Sequence, residues 1–292
     1  MMRRLCLIGV GLIGGSFALA ARQNGLFEEV VGVDVDANNL AEALRCGIVD
    51  RVAERVEVGV ADADAVVLAV PVGAMPSVFA ALRPVWRDDQ LVTDMGSTKL
   101  DVIEAIGTAL GGIPPNFVPG HPIAGAERSG AGAADAGLFK RKRVILTPLP
   151  ETDAAMLARV EALWAGVGAR VSIMAPRHHD EILAATSHLP HVLAFVLTEM
   201  LGRKDEQREI FQYAAGGFRD FTRIASSDPR MWLDICLANQ EQIVPLIQDY
   251  RSALQRAAEL IETGDAASLL ALFTSARDAR QRFLNQLEKQ DA

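Results

Sequence analysis

The segment GHPIAGAERSG, residues 120–130, places a histidine between a glycine and a proline in a chain that has only five histidines. Pro122 has a fixed backbone φ and biases the preceding residue toward an extended conformation, so we expect His121 in a stiff turn. An imidazole with an ordinary pKa near 6.5, held in this way, is suited to take a proton from an alcohol. His121 is therefore a candidate general base, although a histidine in a turn is often only structural.

A second candidate feature is the glycine-rich stretch GVGLIGGS near the N-terminus. Gly9, Gly11 and Gly14 have the spacing G-x-G-x-x-G, after an apolar run and at the start of a helical pattern. Such glycines let the backbone turn tightly and approach a pyrophosphate, which the free N–H groups of the helix N-terminus bind. The predicted residues of this dinucleotide site are Gly9, Gly11, Leu12, Ile13, Gly14 and Asp34.

Asp34 bears on the identity of the dinucleotide. It lies about 20 residues after Gly14, at the end of the run VVGVDVD, where a carboxylate accepts the ribose hydroxyls. A carboxylate there repels a 2′-phosphate, and no arginine follows immediately to neutralise one. The sequence therefore favours NAD over NADP. Asp36 is an alternative ribose contact or simply a helix N-cap.

Two further motifs contain polar side chains that could meet His121. Ser97 in LVTDMGSTK follows an apolar run, so its hydroxyl is expected in the crevice at the carboxyl end of a strand, unless it only caps the next helix. In ATSHLPH, His188 and His191 are spaced for one helical turn and are interpreted as hydrogen-bond donors to a substrate acid. No metal site is predicted, because no cysteine or carboxylate completes a ligand set. His178 and His179 are expected at an exposed junction between domains.

The segment GGFRDFTRIASSDPRMW, residues 216–232, is predicted to be a short polar connection before a helix. It contains Arg219, Asp220 and Arg223 in an otherwise apolar region. Arginine binds a carboxylate through two parallel hydrogen bonds, so one arginine is expected to bind an acidic substrate while the other pairs with Asp220. A salt bridge between subunits remains the alternative.

The elements that would position these residues alternate between strand and helix in the first 175 residues. Such alternation predicts right-handed βαβ crossovers and a buried parallel sheet of the Rossmann type. Residues 111–120 are expected to form a loop. The predicted strands are 5–9, 30–34, 65–70, 91–94, 144–148 and 171–174, and the predicted helices are 12–24, 40–46, 99–110 and 153–167.

After Pro176 only helical patterns follow, at residues 178–201, 230–261 with a kink at Pro245, and 265–289. We therefore predict a dinucleotide-binding domain at residues 1–175 and an all-α substrate and dimerisation domain at 176–292. The apolar helical stretches 184–200 and 233–246 predict a homodimer.

Composition excludes several classes of protein. The formal net charge of −8 argues against nucleic acid as a partner, which requires a basic surface. Three scattered cysteines suit a reducing cytoplasm rather than a disulfide framework. Residues 5–21 imitate a secretory signal, but glycines interrupt the apolar run, and no other stretch is expected to span a membrane. A cytoplasmic protein without nucleic-acid or membrane partners is predicted.

The motifs GVGLIGGS, DMGSTK, GHPIAGAERSG, ATSHLPH and GGFRDFTRIASSDPRMW, in this order, resemble the prephenate/arogenate dehydrogenase family of tyrosine biosynthesis. They run from residue 9 to residue 232, and together they are very specific. The resemblance implies a Rossmann domain, a helical dimerisation domain and NAD-dependent oxidative decarboxylation of prephenate to 4-hydroxyphenylpyruvate, of arogenate to tyrosine, or of both. No chorismate mutase segment before the glycines and no regulatory domain after the helices are expected.

The resemblance also assigns residues by motif. His121 is similar to the family's catalytic histidine, Ser97 to the serine that orients it, and Arg223 to its carboxylate-binding arginine. Glu127 and Asp220 resemble acidic residues of the family's gating network. The other residues that the resemblance places beside the substrate are Ser187, His188 and His191.

Two other functions remain as alternatives at this stage. Other β-hydroxyacid dehydrogenases also join a Rossmann domain to helices, but they are expected to use a lysine base, and Lys204 is the only lysine between residues 143 and 287. A non-catalytic NAD-sensing regulator would need neither a placed histidine nor a carboxylate-binding arginine. The sequence leaves open whether prephenate or arogenate is preferred, and whether tyrosine inhibits the protein.

Overall fold

The fold is described from a computed structural model, which covers residues 2–125, 128–205 and 209–291. Within these residues, six parallel strands form one sheet in the order β3-β2-β1-β4-β5-β6. The strands are β1 (Met2–Ile8), β2 (Phe27–Val33), β3 (Arg51–Val52), β4 (Ala65–Leu68), β5 (Leu91–Asp94) and β6 (Phe117–Val118). The predicted Rossmann-type parallel sheet is thus confirmed.

Helices cover both faces of this sheet, because its central strands are apolar on both sides. In β1, Leu5 and Leu7 belong to the core on one face, and Cys6 and Ile8 belong to the core on the other. The helices of this region are α1 (Leu12–Gln23), α2 (Ala37–Arg45), α3 (Val56–Val60), α4 (Met75–Leu82), α5 (Leu100–Leu110) and α6 (Ala154–Gly166).

A second, three-stranded sheet follows and differs from the prediction. It consists of β7 (Gly120–Pro122), β8 (Arg143–Leu146) and β9 (Arg170–Ile173), with β7 antiparallel to β8 and β8 parallel to β9. The strands expected at 144–148 and 171–174 therefore do not extend the parallel sheet. The loop expected at 111–120 was also wrong in part, because Phe117 and Val118 are completely buried in β6 and Gly120 begins β7.

The described residues from 176 to 243 are mostly helical. One continuous run contains α7 (Pro176–Leu183), a π-helical turn (Ala184–His188) and α8 (Leu189–Lys204). It is followed by α9 (Glu209–Gln212), α10 (Gly216–Thr222) and α11 (Pro229–Ala238). Trp232 and Ile235 of α11 belong to the same buried core as Cys6 and Ile8 of β1, so these helices pack on the sheet region.

The last two helices are α12 (Gln240–Glu262) and α13 (Ala266–Asp291). The chain forms two compact units, residues 1–243 and 244–292, and the second contains α13 and most of α12. The single helix expected at 230–261 is wrong, because the chain breaks at Asn239, whose side chain bonds other elements. Pro245, where a kink was expected, lies inside α12. The domain boundary at residue 175 stays a prediction.

The continuous helix Pro176–Lys204 is long and apolar enough, by length and composition, to cross a membrane. The expectation that no stretch after the N-terminus approaches such a span was therefore wrong. The same composition is found in core helices of soluble proteins, and this helix buries His179, Asp180 and His188 against its neighbours.

Candidate active site

The glycine-rich turn between β1 and α1 has the backbone that a dinucleotide requires. Gly9 has a φ of +91°, and a Cβ there would lie 2.5 Å from the carbonyl oxygen of Ala69. A Cβ on Gly14 would lie 2.2 Å from the carbonyl oxygen of Gly9, so this glycine allows the close packing of helix on strand. A Cβ on Gly11 would meet nothing within 4 Å, which leaves open space in front of the helix N-terminus. The turn therefore fits a pyrophosphate beside the N–H groups of Leu12 and Ile13.

Asp34 lies immediately after β2, where the ribose was expected. Its Oδ2 accepts hydrogen bonds from the N–H of Val10 at 2.8 Å and from Nδ2 of Asn39 at 3.0 Å. Its Oδ1 accepts one bond, from the N–H of Asp36 at 3.0 Å. Because a carboxylate has about four acceptor positions, one remains on Oδ1 for a ribose hydroxyl. Asp36 is the N-cap of α2, as its alternative interpretation stated.

A buried ion pair lies beneath the end of β5. The Lys99 ammonium contacts the carboxylate of Asp94, and both side chains are completely buried. Lys99 also donates to the carbonyl of Gly120 at 2.6 Å, and the N–H of Gly120 donates to Asp94 Oδ1 at 3.1 Å. Both backbone groups of the residue before His121 are thereby fixed.

Ser97 is half-buried in the turn between β5 and α5. It does not cap the helix that follows, because the N-cap residue of α5 is Lys99. The carboxylate of Asp180, from α7, accepts the N–H of Lys99 and the N–H of Leu100, each at 2.9 Å. The capping role of a serine is therefore filled by a carboxylate distant in sequence.

His121 lies in β7 and is 9% exposed. Its Nδ1 is 2.9 Å from Nε2 of His179, and Nδ1 of His179 is 2.8 Å from Oδ1 of Asp180. Burial is the main reason that the pKa of His121 lies well below its usual value, and the charges of His179, Lys99 and His188 lower it further. A neutral imidazole at neutral pH is the form that accepts a proton.

The expectation that His178 and His179 lie at an exposed junction was wrong for His179, whose side chain is completely buried. His178 is exposed and lies 3.6 Å from Glu181. On a helix, neighbouring residues point about 100° apart, so one histidine of the pair faces solvent while the other faces β7.

The π-helical turn positions His188, which is 1% exposed. Such turns are rare and are found frequently at functional sites. Nδ2 of Asn239 lies 3.1 Å from Nδ1 of His188 and donates to the carbonyl of Asp180 at 2.9 Å. Because the amide nitrogen donates, Nδ1 of His188 accepts and its proton is on Nε2. Burial lowers the pKa of His188 to about 4, so the neutral ring is a hydrogen-bond donor.

His191 lies one turn further along the same helical run. Its Nδ1 donates to the carbonyl of Ser187 at 2.8 Å, and its ring stacks on Trp232 with the centroids 3.8 Å apart. Burial lowers the pKa of His191, the bond to Ser187 opposes this, and the charge of Arg223 lowers it further. A neutral His191 therefore presents an acceptor at Nε2, in contrast to the donor expected from the sequence.

Arg223 begins a short 3₁₀ turn (Arg223–Ser226) that follows α10. This turn packs against α8, the helix of His191, and the charge of Arg223 lowers the pKa of His191. Asp220 is exposed on α10. The polar connection predicted at residues 216–232 was wrong, because these residues form α10, the 3₁₀ turn and the start of α11. Glu127, the other acidic residue expected here, lies outside the described residues.

Electrostatic proximity links the predicted residues of the two halves. The charge of His188 lowers the pKa of His121, and the charge of His191 lowers the pKa of His188. The charge of Arg223 lowers the pKa of His191. Four residues that support this arrangement have no role predicted from the sequence: Asp180, Lys99, Asn239 and Trp232. The arrangement can place a neutral base near a hydroxyl group, with a donor, an acceptor and a cation along the remainder of a small acidic molecule.

Comparison with known proteins agrees with this geometry. Residues 17–173 match the family model for the nucleotide-binding domain of prephenate dehydrogenase, and residues 175–275 match the model for its dimerization domain. The cyclohexadienyl dehydrogenase of Zymomonas mobilis is 38% identical over 286 residues, which cover 96% of each chain. The prephenate dehydrogenase of Bacillus subtilis is 35% identical over 96% of this chain and 76% of its own length.

Solved structures give the same result. The prephenate dehydrogenase of A. aeolicus in complex with hydroxyphenyl propionate and NAD⁺ has a TM-score of 0.89 and 35% identity, covering 97% of this chain and 99% of that one. The arogenate dehydrogenase of Synechocystis has a TM-score of 0.78 and 26% identity, covering 96% and 99%.

Proposed function

The chain belongs to the prephenate dehydrogenase family, and from this premise we propose how its residues divide the reaction and which substrates it accepts. The protein is an NAD-dependent oxidoreductase of tyrosine biosynthesis that acts on prephenate or arogenate. The observation that carries the proposal is the buried, neutral imidazole of His121. Its Nδ1 is bound to His179, and its Nε2 has no hydrogen-bonding partner among residues 2–125, 128–205 and 209–291.

The glycine turn, the N–H groups of Leu12 and Ile13, and Asp34 would hold NAD. When bound, NAD accepts the two electrons and the hydrogen that leave C4 of the substrate ring. His121 takes the proton of the C4 hydroxyl, while the bond between C1 and its carboxylate breaks and its electrons complete the aromatic ring. The substrate carries its own driving force, so the protein needs only to orient the ring and to supply a base. Ser97, after β5, orients His121 and the substrate.

The helical residues bind the rest of the substrate. Arg223 binds a substrate carboxylate, since a guanidinium matches its two oxygens. His188 donates from Nε2, and neutral His191 accepts at Nε2 while its ring is held flat on Trp232. Ser187 fixes His191 through its carbonyl, and a gating role is the proposal for the acidic residues Asp220 and Glu127, on the family resemblance.

We also propose NAD in preference to NADP. Both oxygens of Asp34 are already fixed by neighbouring N–H groups, so the carboxylate cannot swing away from a 2′-phosphate without breaking them. The residue that follows, Val35, is fully exposed and carries no charge that would attract a phosphate.

A dual specificity for prephenate and arogenate is supported by the cyclohexadienyl dehydrogenase of Zymomonas mobilis, to which the chain is similar over 96% of its length. The two substrates differ only in a keto or an amino group on the side chain. A carboxylate such as that of Glu127 would tolerate the ammonium of arogenate. We expect kcat/KM for the two substrates to lie within about tenfold of each other.

A homodimer in the cytoplasm is the assembly that we propose. The match to a dimerization domain supports it, as do the exposed apolar side chains of Val196 and Met200 on α8 and of Leu233 and Leu237 on α11. Light scattering at micromolar concentration should give twice the mass of the chain, and a monomer would contradict this assembly.

The activity is tested by adding prephenate or arogenate with NAD and following absorbance in the NADH band. The wild type should respond to at least one substrate, and His121→Asn should lower kcat by ~10²–10⁴, as is usual for loss of a general base. Binding of NAD, measured by fluorescence, should be unchanged in this variant. A folded, NAD-binding wild type that gives no signal with either substrate would refute the proposal.

A further inference from the structure

Behind His121 lies a buried chain of hydrogen bonds that the reaction described above does not require. It passes from Nδ1 of His121 to Nε2 of His179 over 2.9 Å and from Nδ1 of His179 to Oδ1 of Asp180 over 2.8 Å. The side chains of His179 and Asp180 are 0% and 2% exposed. Ionisable groups are seldom fully buried unless they have a structural or functional role, so we expect these hydrogen-bonded residues to have one.

The protons in this chain can be placed from its last member. Burial alone would raise the pKa of Asp180, but hydrogen bonds from His179 and from the N–H groups of Leu100 and Lys99 outweigh it, so the pKa is lowered. Asp180 is therefore a carboxylate that only accepts. A proton of His179 therefore lies on Nδ1, and a His179 ring that carries this proton alone presents Nε2 as an acceptor.

The same logic fixes the tautomer of His121. Because Nε2 of His179 accepts, the proton of His121 must lie on Nδ1. Nε2 of His121 then carries the lone pair, and it is the atom without a hydrogen-bonding partner in the described part of the chain. Which nitrogen of a histidine is protonated is set by the hydrogen bond that the other nitrogen makes.

We propose that His179 and Asp180 are positioning residues, which hold His121 in the tautomer that presents an unprotonated Nε2 and which stabilise the imidazolium formed in the reaction. This inference rests on the proposed role of His121 as the base. In the step concerned, the O–H bond of the substrate hydroxyl breaks, its proton forms an N–H bond at Nε2, and its electron pair stays with the substrate oxygen. The positive charge on His121 then lies one imidazole away from the carboxylate of Asp180.

The surroundings show why such an anion is needed. Among the described residues, the titratable groups whose charges act on His121 are His179 from α7, Lys99 at the N-cap of α5 and His188 from the π-helical turn. Lys99 is already paired with Asp94, so Asp180 is the anion that this chain of hydrogen bonds connects to His121. Asp180 is held rigidly, because both of its oxygens also bind the N-terminus of α5.

A variant series separates positioning from simple packing. His179→Leu fills a similar volume but provides no acceptor, whereas in His179→Gln the amide oxygen can reach the position of Nε2 and accept from His121. We expect His179→Leu to lower kcat by ~10–100-fold with KM changed by less than about threefold, the usual scale for residues that orient a functional ligand. His179→Gln should recover most of that loss. His178→Leu, on the exposed side of the same helix, is the matched control and should leave kcat and KM unchanged.

A measurement on the wild type tests the proposal even if a variant fails to fold. In protein labelled with ¹⁵N at histidine, the ring nitrogen shifts of His121 at pH 7 should identify Nδ1 as protonated and Nε2 as unprotonated. In Asp180→Asn, the amide oxygen can still accept from Nδ1 of His179 and from the N–H of Lys99, so both tautomers should persist, but the negative charge that stabilises the imidazolium is lost and kcat should fall. A wild-type His121 protonated on Nε2 would overturn the proposal.

The outcomes distinguish this proposal from the function on which it rests. If the wild type is active, His121→Asn is not, and His179→Leu matches the wild type in kcat, then His121 is the base and the positioning role is wrong. If His121→Asn retains full activity, the base has been misassigned, whatever the tautomer is.

Discussion

The ammonium group of Lys99 lies against the carboxylate of Asp94, and both side chains are completely buried beneath the end of β5. The same two residues bind the carbonyl and the N–H of Gly120, the residue that precedes His121. Removing one charge from a buried pair leaves the other without compensation, which typically costs 3–5 kcal/mol. We therefore expect the stability of the fold and the position of the base to depend on this pair together.

Lys99→Met should lower the free energy of unfolding by about 3–5 kcal/mol in chemical denaturation. The double variant Lys99→Met with Asp94→Asn should recover part of this loss, because it removes the remaining charge and keeps an oxygen that accepts a backbone N–H. Arg45→Met is the matched control, since Arg45 forms an exposed pair with Glu42 and should have no measurable effect. Equal stability of Lys99→Met and the wild type would contradict the prediction.

Replacement of Arg223 should act mainly on substrate binding. Arg223→Gln removes the charge that binds the substrate carboxylate, so we expect KM for prephenate to rise ~30-fold, which corresponds to about 2 kcal/mol, with a smaller change in kcat. Arg219→Gln, one turn earlier on α10, is the matched control and should change KM less than threefold. A similar effect of the two variants would mean that general positive charge, and not Arg223, binds the carboxylate.

Asp34 should determine the preference for NAD. In Asp34→Asn the amide oxygen can still accept from the N–H of Val10 and from Asn39, the bond from Asp36 is lost, and the negative charge that repels a 2′-phosphate is removed. At an effective dielectric constant of 20, two unit charges 4 Å apart repel by about 4 kcal/mol. We expect kcat/KM with NADP to rise at least tenfold relative to NAD. Asp36→Asn, which changes only the N-cap of α2, should leave the ratio of the two cofactors unchanged.

The glycine turn and the parallel sheet could be predicted from the sequence because their determinants are local. Gly9 needs its left-handed φ and Gly14 needs its missing Cβ within one turn of chain, so the spacing itself contains the geometry. In the same way, the apolar run of β1 indicated a strand buried on both faces. The catalytic roles assigned to His121 and Ser97 stay predictions.

The chain of hydrogen bonds behind His121 was missed because the residues around it, Arg177–Glu181, are polar and suggest a solvated surface. A helical pattern was nevertheless present. His179 and Leu183 are spaced i, i+4 on α7, so they share one face, and both are buried. Taking the spacing into account, rather than the local composition, would have placed His179 with the apolar residues.

Asn239 had no signal in the sequence. Its side chain donates to the carbonyl of Asp180, 59 residues away in sequence. At this residue α11 ends and α12 begins, so the two helices are not continuous. Hydrophobic periodicity continues across residues 230–261, so it predicted one helix there. A helix break caused by a long-range side-chain contact requires the tertiary structure to be known.

Acid should destabilise the fold through His188. Its pKa is about 4 in the folded chain, because burial disfavours the charged ring, with the charges of His179 and His191 lowering it and that of Asp180 opposing them. In the unfolded chain the pKa is about 6.5. Between pH 6.5 and pH 4 the ring is therefore protonated in the unfolded chain and neutral in the folded chain. The free energy of unfolding falls as the pH decreases through this range.

Protonation of His188 lowers the free energy of unfolding by about 3 kcal/mol in total. This follows from about 1.36 kcal/mol for each unit by which the pKa differs between the unfolded and the folded chain. His188→Asn keeps an acceptor for Asn239 but does not titrate, so its free energy of unfolding should fall less than that of the wild type between pH 6.5 and pH 4. Urea denaturation at several pH values measures this difference, and His178→Asn, which is exposed, should follow the wild type. Parallel curves for His188→Asn and the wild type over this range would show that His188 is not held neutral by burial.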